Sequence, residues 1–299
     1  MTYYPQTSIN KICGLFGKTR QAWYVQQWSA EDDTLRDTVV LKRVKEIREQ
    51  MPRIGTRKLY HMLTETLQQH KIKIGRDKLF DLLEEYGMLV RRRKRRRVST
   101  TDSNHPFRKY PNLVRELEVV RPNQLWVSDI TYIRLLDEFC YLSLVTDAYS
   151  RRIVGYCLYP TLQKEGPVAA LKMALNGLPV AAAESLIHHS DRGRQYCCDA
   201  HISLLMERKI TISMTEKGDP YENALAERMN RTMKEEFLLD KGFDSFELAS
   251  LAVNNAVNIY NSQRPHDSCN YMTPDEAHQQ TGPLPMRWKK GKKKEPMIA

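Results

Sequence analysis

Residues 126–132 read Trp126-Val127-Ser128-Asp129-Ile130-Thr131-Tyr132, an apolar, β-branched and aromatic run of the kind that forms a strand, with a carboxylate at its centre. Aspartate is depleted in strands and costly to bury as an ion unless paired or bound to metal, so a functional role is the cheaper explanation for Asp129. Segments 125–133, 139–146 and 152–158 are all β-rich and are separated by short turns, Asp137-Glu138 and Asp147-Ala148-Tyr149-Ser150-Arg151, which predicts an antiparallel meander. Helix and strand then alternate: a helix over 165–178, a strand over 185–189, a helix over 199–208, a strand over 210–214 and a long helix over 221–238. The expected class is α/β, a mixed five-stranded sheet with flanking helices.

Two more carboxylates share the features that single out Asp129. Asp191 follows the fourth expected strand in His188-His189-Ser190-Asp191-Arg192-Gly193-Arg194-Gln195-Tyr196, where a strand end next to Gly commonly presents a ligand. Taken alone, either aspartate could also be a turn or capping residue. Glu227 lies in the long helix, and at ~100° per residue Asn223, Glu227, Arg231 and Lys234 share one face while Leu225 and Met229 point away. A carboxylate flanked by amide and basic side chains suits a cation together with an anionic substrate: Glu227 for the metal, Lys234, Arg231 and Asn223 for phosphate. The bland alternative is an exposed face laced with pairs such as Glu227 and Arg231. Asp147, at the start of a turn, reads as a residue bonding to backbone amides rather than as a metal ligand.

The residues before this sheet have helical periodicity. Ser8 can cap a short helix carrying Ile9, Ile12 and Cys13, Gly17 breaks the pattern, and Thr19 can cap a second helix through Trp23 to Trp28. This helix-turn-helix segment, 1–38, suits DNA reading through Lys18, Arg20 and Gln21, and equally suits ordinary helix packing. A second all-α module, 39–90, shows apolar stripes at Val44 and Ile47, at Leu59, Met62, Leu63 and Leu67, and at Leu79, Leu82 and Leu83, ending at Gly87. Then comes an unbroken basic run, Arg91-Arg92-Arg93-Lys94-Arg95-Arg96-Arg97, which opens a linker over 91–118; such self-repelling blocks stay extended until they meet a polyanion. A core domain over 119–280 and a basic tail over 281–299 complete the expected organisation.

Charge supports that division. Residues 1–110 carry +12 and residues 287–299 carry +5 against a total of +11, which leaves −6 for residues 111–286. Basic flanks suit phosphate contacts, and surplus carboxylates suit bound cations. No apolar run approaches the ~18 to 20 residues needed to cross a bilayer, and the polar, aromatic stretch after Met1 does not resemble a signal peptide, so a cytoplasmic protein without membrane contact is expected. The six cysteines are scattered, which favours reduced thiols over a zinc site.

Thirty-five residues separate Asp191 from Glu227, and Lys234 follows that Glu by seven. This spacing resembles the Asp, Asp, 35, Glu signature of retroviral integrases and bacterial insertion-sequence transposases. The likeness is nearest to the OrfB-type transposases of copy-out, paste-in elements. It rests on Trp126 to Thr131, on Asp147-Ala148-Tyr149-Ser150-Arg151-Arg152-Ile153-Val154-Gly155, on His189 to Tyr196, and on Tyr221-Glu222-Asn223-Ala224-Leu225-Ala226-Glu227. Tyr260-Asn261-Ser262-Gln263-Arg264-Pro265-His266 and Thr273-Pro274 extend it. Where that family usually has Tyr-Asp-Asn-Ala, this chain has Glu222 before Asn223; helical phase favours Glu227 as the site residue.

The resemblance implies an RNase H-like fold, with which the strand order agrees, and a DNA transposase that cleaves and transfers strands at element ends. It implies that Asp129, Asp191 and Glu227 hold two Mg²⁺ (or Mn²⁺) ions, that the chain works on double-stranded DNA as a homo-oligomer in the bacterial nucleoid, and that an upstream-frame OrfA partner supplies the leucine heptads not found here. Two readings compete: a DNA-binding regulator with an inert core, which would bind without cleaving, and a structure-selective nuclease, which would give no joined products.

Overall fold

The structure, a computed structural model, describes residues 7–91, 105–216 and 223–284, and of residues 26–32 the backbone alone. Arg92 to Arg97 and the basic tail from residue 285 lie outside the described residues.

Ser8 caps α1 (Ile9–Leu15) and Thr19 caps α2 (Arg20–Gln50), each side-chain oxygen accepting a backbone N–H of the first turn. The expected stop near Trp28 does not occur, and the anticipated boundary at 38/39 falls inside a continuous 31-residue helix. The reason is local: neither Gly nor Pro interrupts residues 20–50, and Pro52 supplies the first hard stop. The chain continues through α3 (Thr56–Met62), α4 (Thr64–Gln69) and α5 (Arg76–Glu85), after which Gly87 turns with φ of 64°. Leu59, Leu63, Leu67, Leu79, Leu82 and Leu83 are buried with Val40, Val44 and Ile47, as their spacing predicts.

The sheet has the order β3-β2-β1-β4-β5. β1 (Leu125–Arg134) pairs antiparallel with β2 (Phe139–Asp147), and β2 pairs antiparallel with β3 (Ile153–Tyr159). After α6 (Glu165–Asn176) and α7 (Val180–Ala183), β4 (Ile187–Ser190) enters parallel to β1. Then α8 (Arg194–Cys197) and α9 (Asp199–Glu207) lead to β5 (Thr211–Met214), parallel to β4. This mixed sheet, three antiparallel strands extended by two parallel ones, is the RNase H-like arrangement.

Alternation along the strands assigns the two faces. Cys140, Leu142 and Leu144 of β2 pack with Met229, Met233, Val253, Val257 and Tyr260 of α10 (Ala224–Glu236) and α11 (Phe246–Ser262). Trp126 and Val145 face the other way, onto Ala170, Leu171 and Ala174 of α6 and Leu205 of α9. There Gly155 permits a close approach: a Cβ would collide with the Ala170 carbonyl and stand 2.9 Å from Ala174 Cβ. The chain closes with α12 (Pro274–His278), started by a capping box at Thr273 and Glu276.

The helical module is joined to the core. Glu236, at the end of α10, accepts two hydrogen bonds from the buried Arg264 guanidinium, at 2.6 and 2.9 Å, and one from Lys58 of α3 at 3.2 Å. Its carbonyl also accepts the Arg53 N–H at 3.0 Å, and His61 stacks on Tyr271 with centroids 4.9 Å apart. Part of the expected linker is likewise attached: the Leu113 N–H donates to Ser213 Oγ at 2.9 Å, the Met214 N–H to the Pro111 carbonyl at 3.2 Å, and Phe107 and Tyr110 pack against the core. Their aromatic surface finds an apolar face to cover, so this stretch lies along β5 instead of hanging free.

Candidate active site

The pairing of β1 with β4 ends at Val127 opposite His189, and Asp129 and Asp191 each stand two residues further along. Adjacent strands lie ~4.8 Å apart, so the two aspartates belong to the same end of the same strand pair. Asp129 points to the face covered by α10, where Asn230 donates to its Oδ2 at 2.9 Å, while its Oδ1 accepts the Ile130 N–H at 2.9 Å. Burial pushes its pKa up to about 8 from 3.8, the Asp191 charge adds to the rise, the two hydrogen bonds oppose it, and Glu227 contributes a smaller increment. A carboxylate that stays difficult to ionise beside two others is an arrangement to which a cation would restore balance.

Asp191 is fixed by its own turn. Its Oδ1 accepts the Gly193 N–H at 2.9 Å, and a Cβ on Gly193 would sit 2.9 Å from that same oxygen, so the bare glycine lets the chain double back into α8. Glu227 occupies the first turn of α10 and is exposed. Its charge reaches Asp129, but among the described residues no three His, Cys, Asp or Glu side chains converge into a metal-holding group.

The rest of the expected helical face divides. Arg231 is exposed, as anticipated for a phosphate contact. Asn223 is instead buried at 6% exposure at the start of α10, donating to the Ser128 carbonyl at 3.1 Å and so tying the helix to β1. Lys234 lies over Tyr132, its Nζ 3.6 Å from the ring centroid and 3.4 Å from Thr131 Oγ1, and burial lowers its pKa. Both depart from a purely outward stripe because α10 lies directly on β1, and the positions at the edge of its polar face meet the sheet. Arg91 is exposed; its carbonyl accepts the Arg53 guanidinium at 2.6 Å.

Asp147 accepts the N–H groups of Asn123 and Ser150 at 2.7 and 2.8 Å, the turn role read from sequence. His189 is buried and bonds Ser213 Oγ at 2.9 Å. Sequence reasoning missed Asn230, although it lies two turns beyond Asn223 on the same stripe. It also missed the polar layer beneath the aspartates, where Ser128 Oγ bonds His188 Nε2 at 2.8 Å and His188 packs on His201.

An RNase H-like sheet presenting two aspartates side by side, with a glutamate-bearing helix across the first, defines a polynucleotidyl transferase core of the integrase type. Two family models described as integrase core domain match residues 119–220 and 208–274. The chain is 32% identical over 267 residues to an insertion element IS600 uncharacterized 31 kDa protein of Shigella sonnei, covering 88% of this chain and 96% of that protein. It is 31% identical over 215 residues to a putative transposase for insertion sequence element IS986/IS6110 of Mycobacterium tuberculosis, covering 71% of this chain and 77% of that protein. A solved HTLV-2 integrase catalytic core domain in complex with magnesium aligns with a TM-score of 0.42 at 17% identity, over 53% of this chain and 98% of that chain.

The chain belongs to the OrfB-type insertion-sequence transposases with an integrase core, enzymes of DNA transposition that cleave and transfer strands. Integrase cores depend on divalent metal as a family. Among the described residues no helix is long and apolar enough to cross a membrane.

Proposed function

We propose that this chain cleaves and joins DNA at the ends of its own insertion sequence, with Asp129, Asp191 and Glu227 as the metal-holding and catalytic carboxylates. The observation that carries this reading is the position of Asp129 on β1 beside Asp191 just past the end of the adjacent parallel β4, under the helix that bears Glu227. An all-carboxylate donor set suits a hard cation, Mg²⁺ or Mn²⁺. When bound, the metal would activate a water or a 3′-hydroxyl for in-line attack and stabilise the leaving oxygen.

The protein's own part is orientation and charge. Asn230 and the Ile130 N–H hold the Asp129 carboxylate in place, and the Gly193 N–H does the same for Asp191. Arg231 and Lys234 hold phosphate beside them. The helices of 1–38 and 39–90, with α2 bridging them, the linker 91–118 with its run Arg91 to Arg97, and the tail 281–299 flank the core 119–280 and grip double-stranded DNA. Copies assemble on the paired ends, and the OrfA product of an upstream frame completes the complex in the cytoplasm, on the nucleoid.

The test is nicking and joining of an oligonucleotide carrying the element's ends, with Mg²⁺ or Mn²⁺. Loss of both products in Asp191→Asn is expected; cleavage at the unaltered rate by that variant would remove the reading, and nicking without joined products would favour a simple nuclease.

A further inference from the structure

The structure assigns a role to Tyr196 that the three carboxylates do not cover: we propose that its hydroxyl, which bonds neither carboxylate directly, is a positioning donor to water carried by metal held at the Asp129 and Asp191 pair. This rests on the reading of the site given above.

The argument starts from an unmatched polar atom. Tyr196 is 2% exposed, and its hydroxyl is shut away from solvent without a hydrogen-bond partner. Buried hydroxyls are nearly always bonded, so an isolated one calls for an explanation. The residue is held firmly. It lies on α8, immediately after the Asp191 turn, with its N–H donating to the Gly193 carbonyl at 3.0 Å, and Gly193 in turn donates to Asp191. Its ring meets His201 edge-on, centroids 5.3 Å apart and planes at 84°. His201 packs on His188, which bonds Ser128, the neighbour of Asp129.

The back of the ring therefore faces neutral imidazoles, since burial lowers the pKa of His188 well below its ordinary value and that of His201 to about 4. The hydroxyl end lies within electrostatic reach of the carboxylates: burial raises the phenol's pKa well above its ordinary value, and the charges of Asp129 and Asp191 raise it further. A protonated phenol is a donor, and carboxylates and metal-bound water are acceptors. A ring needed only for packing would be served by Phe; the hydroxyl adds a group that orients the ligands from behind, and such outer partners typically contribute ~10 to 100-fold to metal affinity.

Tyr196→Phe in the full chain removes the oxygen and keeps the ring. Mn²⁺ binding, measured directly by electron paramagnetic resonance, is expected to weaken roughly 10 to 100-fold, with strand transfer partly restored at high metal. Unchanged Mn²⁺ affinity in Tyr196→Phe, alongside abolished binding in Asp191→Asn, overturns the role of Tyr196 and leaves the carboxylate site standing. Unchanged binding in both variants overturns the site itself. Should the Phe variant not fold, 3-fluorotyrosine incorporated into the unaltered sequence gives a second measurement. Its residue 196 fluorine resonance is expected to move on adding Mg²⁺, and a resonance that stays in place overturns the proposal.

Discussion

The Asn230 amide donates to Asp129 Oδ2 at 2.9 Å, fastening the second turn of α10 to the middle of β1. That bond opposes the burial and repulsion that raise the Asp129 pKa. Asn230→Ala is therefore expected to leave the carboxylate freer to rotate and still harder to ionise. Loss of this hydrogen bond, with Asp129 holding its proton, costs about 0.5 to 1.5 kcal/mol, measurable by chemical denaturation, together with a higher Mn²⁺ requirement for cleavage. A variant with unaltered stability and metal requirement would mean that the contact carries nothing.

Metal-free protein should lose stability as pH rises. The folded-state pKa of Asp129, about 8, lies above the ordinary 3.8, so the folded form binds this proton more tightly than the unfolded chain does. Its contribution is fully present below the lower value and disappears as pH rises through the upper one. Melting temperatures taken in chelator across that window should fall less steeply in Asp129→Asn than in the unaltered chain. Parallel curves would contradict the assignment.

Glu236 should be the least replaceable charge at the joint between module and core. Its partner Arg264 is 3% exposed, and removing one member of a buried pair typically costs about 3 to 5 kcal/mol. Glu236→Gln is expected to approach that range, while Lys58→Ala, at the rim of the same group, should cost roughly 1 kcal/mol or less. Denaturant titration of both variants checks the order; equal losses would show that Arg264 is not the partner that matters.

Gly155→Ala should destabilise the core despite the small change. The added carbon would meet the Ala170 carbonyl and Ala174 on α6, and overpacking of this kind typically costs about 1 to 3 kcal/mol. Thermal unfolding of the variant is the check, with an unchanged midpoint as the contrary result.

The sheet was legible because its strands alternate cleanly and are set off by short turns, Asp129 because strands seldom carry such residues, and Asp191 because it follows a strand end next to Gly. The leucine stripes of the module were readable for the same periodic reason. The end of α2 was misread because Trp28 closes an apolar cluster without closing the helix, and only Pro52 supplies a stop. α11 was overlooked although Ala249, Val253, Ala256, Val257 and Tyr260 recur at helical spacing and are buried. Asn223 and Lys234 could not be resolved by angle alone: a helical wheel says which residues share a side, not how far the neighbouring sheet reaches around it. Asn230 shares the stripe of Asn223, but its partner Asp129 is remote in sequence, and nothing local says which carboxylate it meets.

Asp129 sits within β1 and Asp191 one residue beyond β4, strands whose spacing is held by backbone hydrogen bonds, whereas Glu227 rides on a helix whose far end is gripped by Lys58 from outside the sheet. In the proposed catalytic centre the strand pair and the helix are thus two separately braced halves, the helix pinned to the sheet by Asn223 and Asn230. Glu236 lies nine residues, roughly 13 Å along the helix axis, from Glu227, so a single rod links the helical module to the proposed catalytic glutamate.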